Sequence, residues 1–293
     1  MPRLSDRELA ERHLGLGASD IPELLGLAPW DGAGPMRLWL EKTGQSGPRE
    51  PDPDREEAME WGHELEPLIA RWYARRHAGV TLLPGGHVPH REIPWLWATL
   101  DAKAPDRILE VKNVGGGMAH HWSATADDGV PRYVRVQCVV GQACLGTRLT
   151  DVAACIAGRA PRVWTVAWDE ELWDVIRDRA SAFWALVQSR TPPALDATDA
   201  TKEWLRRTYP GGEDRALIPS DFAAEELAER RIYAALERRK AEDTMALADH
   251  ELLHRIGDAD GMIAQDGSWK MTWKLDKNGK RRQRFTARAL RDE

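Results

Sequence analysis

The residues 97–112, WATLDAKAPDRILEVK, bring two acids and an ammonium to spacings that can hold a cation. Glu110 and Lys112 lie two apart, so on a strand both side chains point to one face while Val111 points to the other, into a core. Asp101 ends the preceding strand, and a turn over residues 102–106 folds the two strands together and brings Asp101 towards Glu110. Two carboxylates on adjacent strand ends suit a hard cation such as Mg²⁺, whose remaining positions take water and phosphate oxygens. A nearby ammonium can orient or deprotonate a water, or offset charge on a pentavalent phosphate. The same spacing also describes an ordinary surface Glu/Lys pair on a hairpin. Asp106 stands four residues before Glu110, where the turn must be, so Asp101 is the expected partner and Asp106 a turn residue.

Three further places carry chemistry. Glu66 sits at the edge of an apolar helix stripe formed by Gly62, Ile69 and Tyr73 and flanked by Leu65, Leu68 and Trp72. An acid there must be paired, neutralised or metal-bound, or must reach water from the boundary. Gln137 shares a helical stripe with Tyr133, Gly141 and Cys144, where an amide can bind a phosphate, bind a catalytic water, or serve as a satisfied core group. The turn RHLGLGASD, residues 12–20, places glycines before a helix start, which exposes backbone N–H groups to an anion. Ser19 and Arg12 add a hydroxyl and a guanidinium suited to a terminal phosphate. Trp122 follows the glycine run 115–117 directly after the Glu110 strand, and can stack on a duplex end or pack within its loop.

These residues need a scaffold, and the 293-residue chain is long enough for one large domain or a core with an appendage. With 42% apolar and 30% charged residues it reads as soluble and globular. No apolar run reaches the length of a membrane helix, the first twenty residues lack a signal peptide's apolar stretch, and three cysteines without CxxC spacing favour a reducing cytosol. The expected location is cytoplasmic, with no membrane partner. The net charge of −6 is uneven: residues 268–293 hold nine Lys/Arg against three acids. The other 267 residues form an acidic body, suited to holding cations, with a basic end suited to a polyanion.

The periodicity predicts a helix from Asp20 to Leu25, capped by Asp20 with Glu23 at capping-box spacing. Helices are expected over Pro35–Lys42, Asp54–His77, Pro131–Leu145, Asp169–Ser189 and Asp221–Ile256. Strands are expected at 80–83, 95–101, 107–114, 152–157 and 163–168. Trp269, Met271, Trp273 and Leu275 alternate with polar residues, Asn278-Gly279 signals a hairpin turn, and Gln283–Ala287 returns. Prolines in 191–199 suggest a boundary, giving a main domain over 1–192 and a smaller module over 193–293.

The order G-A-S-D-I-x-E-L-L-G-L-A-P-W, L-W-L-E-K-T-G, M-E-W-G-H-E-L-E-P-L-I-A, the Asp101…Glu110-x-Lys112 hairpin and P-R-Y-V-R-V-Q resembles the YqaJ-type viral recombinase exonucleases. These are relatives of the phage lambda exonuclease within the PD-(D/E)xK nuclease superfamily. The likeness spans roughly residues 12–170. It implies an α/β (α+β) fold: a nuclease core with a central mixed sheet flanked by helices, here followed by a C-terminal helix and hairpin. It implies Glu66, Asp101 and Glu110 as metal ligands with the Val111 carbonyl, Lys112 as the catalytic lysine, and Gln137 as support for the scissile phosphate or the lysine. Arg12 and Ser19 would bind the 5′-terminal phosphate. The implied activity is Mg²⁺-dependent digestion of linear duplex DNA from 5′ ends, with Mn²⁺ as a substitute, leaving 3′ single-stranded tails. The implied partners are duplex ends, a phage single-strand annealing protein and further copies of the chain in a ring trimer.

The chain departs from the family in having Leu100-Asp101-Ala102 where Pro-Asp-Gly is usual, and Gly-Ala-Ser where Gly-Gly-Ser is commoner. Nothing carries over beyond about residue 190. Two rival functions stand: a PD-(D/E)xK endonuclease of repair or restriction, and a non-catalytic module that binds DNA ends or a recombinase. His87, His90, His120 and His121 match no zinc spacing.

Overall fold

A computed structural model describes residues 14–46, 53–77, 79–122, 129–212 and 217–287. Arg12 lies outside the described residues. The chain forms two compact units, residues 1–210 and 211–293.

The first unit is built on a six-stranded mixed sheet of β1 (Leu16–Gly17), β2 (Leu83–Pro89), β3 (Leu96–Lys103), β4 (Ile108–Val114), β5 (Leu149–Ile156) and β6 (Arg162–Ala167). The path β1-β3-β4-β5-β6 has parallel β1/β3 and β4/β5 pairs, and β2 pairs β3 antiparallel. Register decides where the sheet opens. Trp97 pairs with both Gly17 and Pro89, and Ala102 with both Pro84 and Leu109, so β2 runs along one edge of β3 while β1 and β4 share the other. β4 pairs β3 only at Ala102↔Leu109 and Lys103↔Ile108. Beyond that the strands part, leaving a gap in the ladder between the end of β1 and the start of β4. Asp101 and Glu110 stand at its mouth.

β2 departs from the expected strand at 80–83. Pro84, Gly85 and Gly86 are breakers in sequence, yet the backbone requires the glycines. A Cβ on Gly85 would sit 1.9 Å from the Leu100 carbonyl oxygen, and Gly86 has φ of +101°.

Helices cover both faces. α3 (Pro53–Arg76) lies on one, packing Ile69 and Tyr73 against Ala102, Leu109, Val111 and Ala153. α4 (Arg132–Leu145) lies on the other, its Val136, Val139 and Val140 meeting Leu96, Ala98, Leu100 and Ile108. Outside α4 stack α1 (Ile21–Leu24), α2 (Pro35–Lys42) and α5 (Glu170–Ser189), through Ile21, Met36, Trp39, Ile176 and Phe183. Asp169 caps α5 by accepting from the Leu172 N–H at 2.9 Å.

The expected capping box at Asp20 and Glu23 does not form. The Asp20 side chain turns back to the Gly17 N–H (2.9 Å) and to the Lys42 ammonium (2.7 Å), which is fully buried. Glu23, 2% exposed, accepts from the Gly34 N–H and pairs with Arg37. A four-residue helix needs no box; these buried acids instead tie α1 to α2.

The compact unit also continues past the expected boundary at 192. Asp196 accepts from the Met36 N–H and the Thr198 N–H, and α6 (Asp199–Thr208), which the sequence reading missed, packs Trp204 against the core. The prolines at 192–193 mark a bend within the unit.

The second unit holds α7 (Phe222–Ile256), capped by Asp221 accepting from the Ala224 N–H, and an antiparallel sheet β7 (Gly261–Ile263), β8 (Trp269–Leu275), β9 (Arg281–Ala287). Met271 (0% exposed) and Ile256 (6%) form its small core. The Arg281 guanidinium donates to the carbonyls of Gly257 and Asp258, just past the C-terminus of α7.

A buried polar network beneath α3 gives a stability test. Asp151, 2% exposed, accepts from the Tyr73 hydroxyl, Thr165 (2.7 Å) and Arg107 (3.0 Å). Burial alone would raise its pKa; the three donors and the Arg107 charge win and hold it below the usual carboxylate value. A carboxyl depressed by folding contributes stability above its unfolded pKa of about 3.9, and that stability is lost as pH falls through the lower folded value. Asp151→Ala is expected to cost about 1–3 kcal/mol at pH 7, because it leaves the buried Tyr73 hydroxyl without its acceptor, while Arg107 keeps Asp106. Denaturant melts should show this difference shrinking below pH 4; an equal difference at pH 7 and pH 2.5 would contradict it.

Candidate active site

A cavity of about 450 Å³ opens where β3 and β4 part. Its lining includes Ser19, Glu66, Asp101, Glu110, Val111, Lys112 and Gln137, so all but two of the sequence-selected residues meet in one place. The exceptions are Arg12, outside the described residues, and Trp122.

Each side chain is positioned by a local reason. The Val111 N–H donates to Asp101 Oδ2 at 2.7 Å, taking the place of the strand partner that the broken ladder withholds. Lys112 Nζ lies 2.7 Å from Glu110 Oε1, as expected for same-face neighbours, and donates to Gln137 Oε1 at 3.0 Å. That bond ties β4 to α4, and of the alternatives open for Gln137 the structure has it on the lysine. Glu66 enters from α3, immediately before Pro67. A proline there has no N–H for the His63 carbonyl, which loosens the helix beside the site.

The electrostatics are those of a crowded anionic site. Burial, then Glu110, push the Asp101 carboxyl well above its usual range, and Glu66 adds to this. Burial also raises Glu66, against the pull of His63 and Lys112. For Lys112, burial acts to lower the pKa, but Glu110 and Asp101 hold it above its ordinary value, so it is an ammonium. In this arrangement Lys112 would serve to orient and offset charge; as a base it would first have to lose its acid partners. Cys138, 2% exposed, has its thiol raised well above the normal range by burial and by Glu110, and is no nucleophile here.

Three carboxylates against one ammonium leave surplus negative charge, and the donors are all hard oxygens, so the chemistry suits a divalent ion such as Mg²⁺. The acids line the cavity without closing on one point: among the described residues, no three His, Cys, Asp or Glu side chains form a ready metal-holding group. Asp101, Glu110 and Glu66, with the Val111 carbonyl, are the groups that would hold a cation. When bound, it would activate a water and neutralise phosphate charge.

The N-terminal turn differs from its expected role. The N–H groups of Leu16, Gly17, Ala18 and Asp20 are all spent inside the fold, on Trp95, Asp20, Trp97 and Gly17 respectively. No backbone nest faces an anion across these residues, and α1 is too short to supply one. Ser19 is exposed at the cavity and offers its hydroxyl.

Trp122 is corrected as well. It is 6% exposed and packs 5.5 Å from Trp164 among Val130 and Val134, so its ring is unavailable to a duplex end. The glycine run ahead of it enters a 3₁₀ helix over Gly116–His121. Asp106 stays on the turn, paired with Arg107 at 2.9 Å and outside the cavity.

His63, not singled out in the sequence, and His87, weighed there only as a zinc ligand, also line the cavity. His63 lies three residues before Glu66 on the same helix face, a legible signal. His87 comes from the glycine-rich strand β2, beside Trp97 with centroids 5.4 Å apart, and only pairing with β3 puts it there.

A mixed sheet flanked by helices is also the fold of a solved alkaline exonuclease, LHK-Exo from Laribacter hongkongensis. Two of its structures, one with dAMP, align at TM-scores of 0.52 and 0.51 and identities of 20% and 18%, over 70% of this chain and 98% of theirs. Residues 9–148 match the family model of the YqaJ-like viral recombinase domain. Uncharacterized protein YqaJ of Bacillus subtilis (strain 168) is 28% identical over 276 residues, spanning 92% of this chain and 83% of that protein.

A cation held by these acids should stabilise the fold by linkage. At a hundred times its dissociation constant, Mg²⁺ or Ca²⁺ is expected to add about 2.7 kcal/mol. Scanning calorimetry should show an upward shift for the wild-type chain and none for Asp101→Asn/Glu110→Gln. An equal shift in both would place the cation elsewhere.

Proposed function

We propose that the chain is a Mg²⁺-dependent exonuclease that digests linear duplex DNA from 5′ ends and leaves 3′ single-stranded tails for homologous recombination. The observation that carries this reading is the joint presence of Glu66, Asp101, Glu110, Lys112 and Gln137 around one cavity in an exonuclease fold. The Asp101/Glu110 pair would hold the cation that activates the attacking water. Lys112, held by Glu110 and Gln137, would place its ammonium against the phosphate as charge builds there. Ser19 at the cavity rim supports an end-recognition role, with Arg12 as its cationic partner. A phage annealing protein is the expected recipient of the tails. The three-acid, one-lysine set is complete, which favours an active enzyme over a non-catalytic module.

Lys112→Ala and Glu110→Ala are each expected to lower cleavage of end-labelled linear duplex by 10³-fold or more, with an unchanged thermal transition. Asp106→Ala should keep most of the activity. Ca²⁺ should support binding without turnover, because its longer, looser coordination misplaces the water. A covalently closed circle should survive; its cutting would favour the endonuclease. If Lys112→Ala cleaves at a near-normal rate, the site is wrongly assigned.

A 5′-phosphorylated end should be digested about tenfold faster than a 5′-hydroxyl end, and Arg12→Ala should remove most of that preference. The gain is limited because the backbone N–H groups of Leu16, Gly17, Ala18 and Asp20 are already spent. Rates compared at fixed salt decide this, and equal rates on both ends would remove the end-recognition role.

A further inference from the structure

The C-terminal sheet sorts its charges by face. In the β8/β9 register Lys270 faces Thr286, Thr272 faces Arg284, and Lys274 faces Arg282. Residues directly opposite in an antiparallel pair share a face, and strand alternation puts all six on the same one. The other face carries Met271, fully buried, the stacked Trp269 and Phe285, and Arg281 over the Trp273 ring. One side of the ribbon is therefore committed to its own unit, while the other presents four exposed cations with Thr272 and Thr286 half-buried between them, the Thr286 hydroxyl donating to the Lys270 carbonyl at 3.3 Å.

Among the described residues, one ion pair is all that balances the charge on that face. Residues 268–287 contain seven Lys/Arg and one acid, Asp276, within a chain of net charge −6. Asp276 lies at the turn and pairs with Arg282 at 2.9 Å. Lys270, Lys274 and Arg284 make no ion pair among the described residues. Lys274 and Arg282 stand directly opposite each other, a like-charge arrangement that costs stability in a sheet. A face built at such a cost suits a polyanion that offsets it.

We infer that the face formed by Lys270, Thr272, Lys274, Arg282, Arg284 and Thr286 binds the phosphate backbone of duplex DNA without reading its sequence. A protein partner would need an apolar centre to its interface, and this face offers little beyond Ile263 at its edge. Ammonium and guanidinium groups on an extended ribbon are donors that position a protein on phosphates. The choice of DNA as the polyanion rests on the nuclease reading of the first unit. The ribbon would then be a second hold on the duplex, separate from the cleavage site.

The test is fluorescence anisotropy of the full chain on a labelled duplex with both ends closed by hairpin loops, in EDTA so that nothing is cut. Lys270→Gln/Lys274→Gln/Arg284→Gln removes three exposed cations and keeps side-chain bulk; Arg230→Gln/Arg231→Gln/Arg239→Gln removes three exposed cations from α7 as a control. The ribbon variant should bind at least tenfold more weakly at moderate salt, and its log–log salt slope should be shallower by about 2.7, for three lost phosphate contacts. The control should keep the wild-type slope. Coincident ribbon and wild-type curves, or an equal loss in the control, would overturn the assignment. So would displacement of the duplex by polyglutamate at matched charge, which would make the face a general anion surface. A wild-type chain that cuts nothing in Mg²⁺ but shows ribbon-dependent binding would refute the nuclease reading alone. Normal cutting with coincident curves would refute the ribbon alone.

Discussion

The site depends on a ladder left incomplete. β3 and β4 exchange backbone hydrogen bonds only beside their turn, and then separate. A buried N–H must find a partner, and the Val111 N–H finds the Asp101 carboxylate. That bond holds an acid in a place burial would otherwise penalise, and it leaves the second carboxylate oxygen for chemistry. Had the strands stayed paired, Asp101 and Glu110 would flank a closed sheet with no room for a phosphate between them.

The gap stays open because the elements around it are anchored elsewhere. β1 occupies the far end of the same β3 edge, and a Cβ on Gly15 would meet the Trp95 carbonyl oxygen at 2.2 Å. The Asp20–Lys42 and Glu23–Arg37 pairs lock the turn after β1 onto α2. Buried pairs of this kind add little net stability but strongly penalise any arrangement that separates them. They account for the acids and bases of the N-terminal motifs without assigning them to catalysis. On the far side, the Lys112–Gln137 bond sets α4 against β4.

The two units divide the charge in a way the chain average conceals. The first concentrates carboxylates around a cavity, where burial and the Glu110 charge raise the pKa of Asp101 and Glu66, and a cation would relieve that. The second concentrates cations on one face of a small sheet whose other face is spent on its core. An acidic chain can thus engage a polyanion, provided its negative charge is held in by burial and metal while its positive charge is displayed.

Much of this was legible in the sequence because it is local. The period of two in β8, the helical periods of α2, α4 and α5, and the Glu-x-Lys spacing each follow from side-chain direction along one element, and the structure has them within a few residues. The choice of Asp101 over Asp106 followed from turn geometry, and the cavity contains Asp101. What the sequence could not decide involved partners distant along the chain. β2 reads as a loop because glycine and proline oppose strands; only the edge of β3 makes it one. Asp20 and Glu23 read as a capping box because their spacing fits, but Lys42 and Arg37 offered stronger partners. Trp122 read equally well as a wedge or as core until Trp164, forty-two residues away, covered it. Residue types and spacings determined which groups could do chemistry. The tertiary structure decided which of them meet, because burial and the pairing of buried polar groups are settled between elements rather than within them.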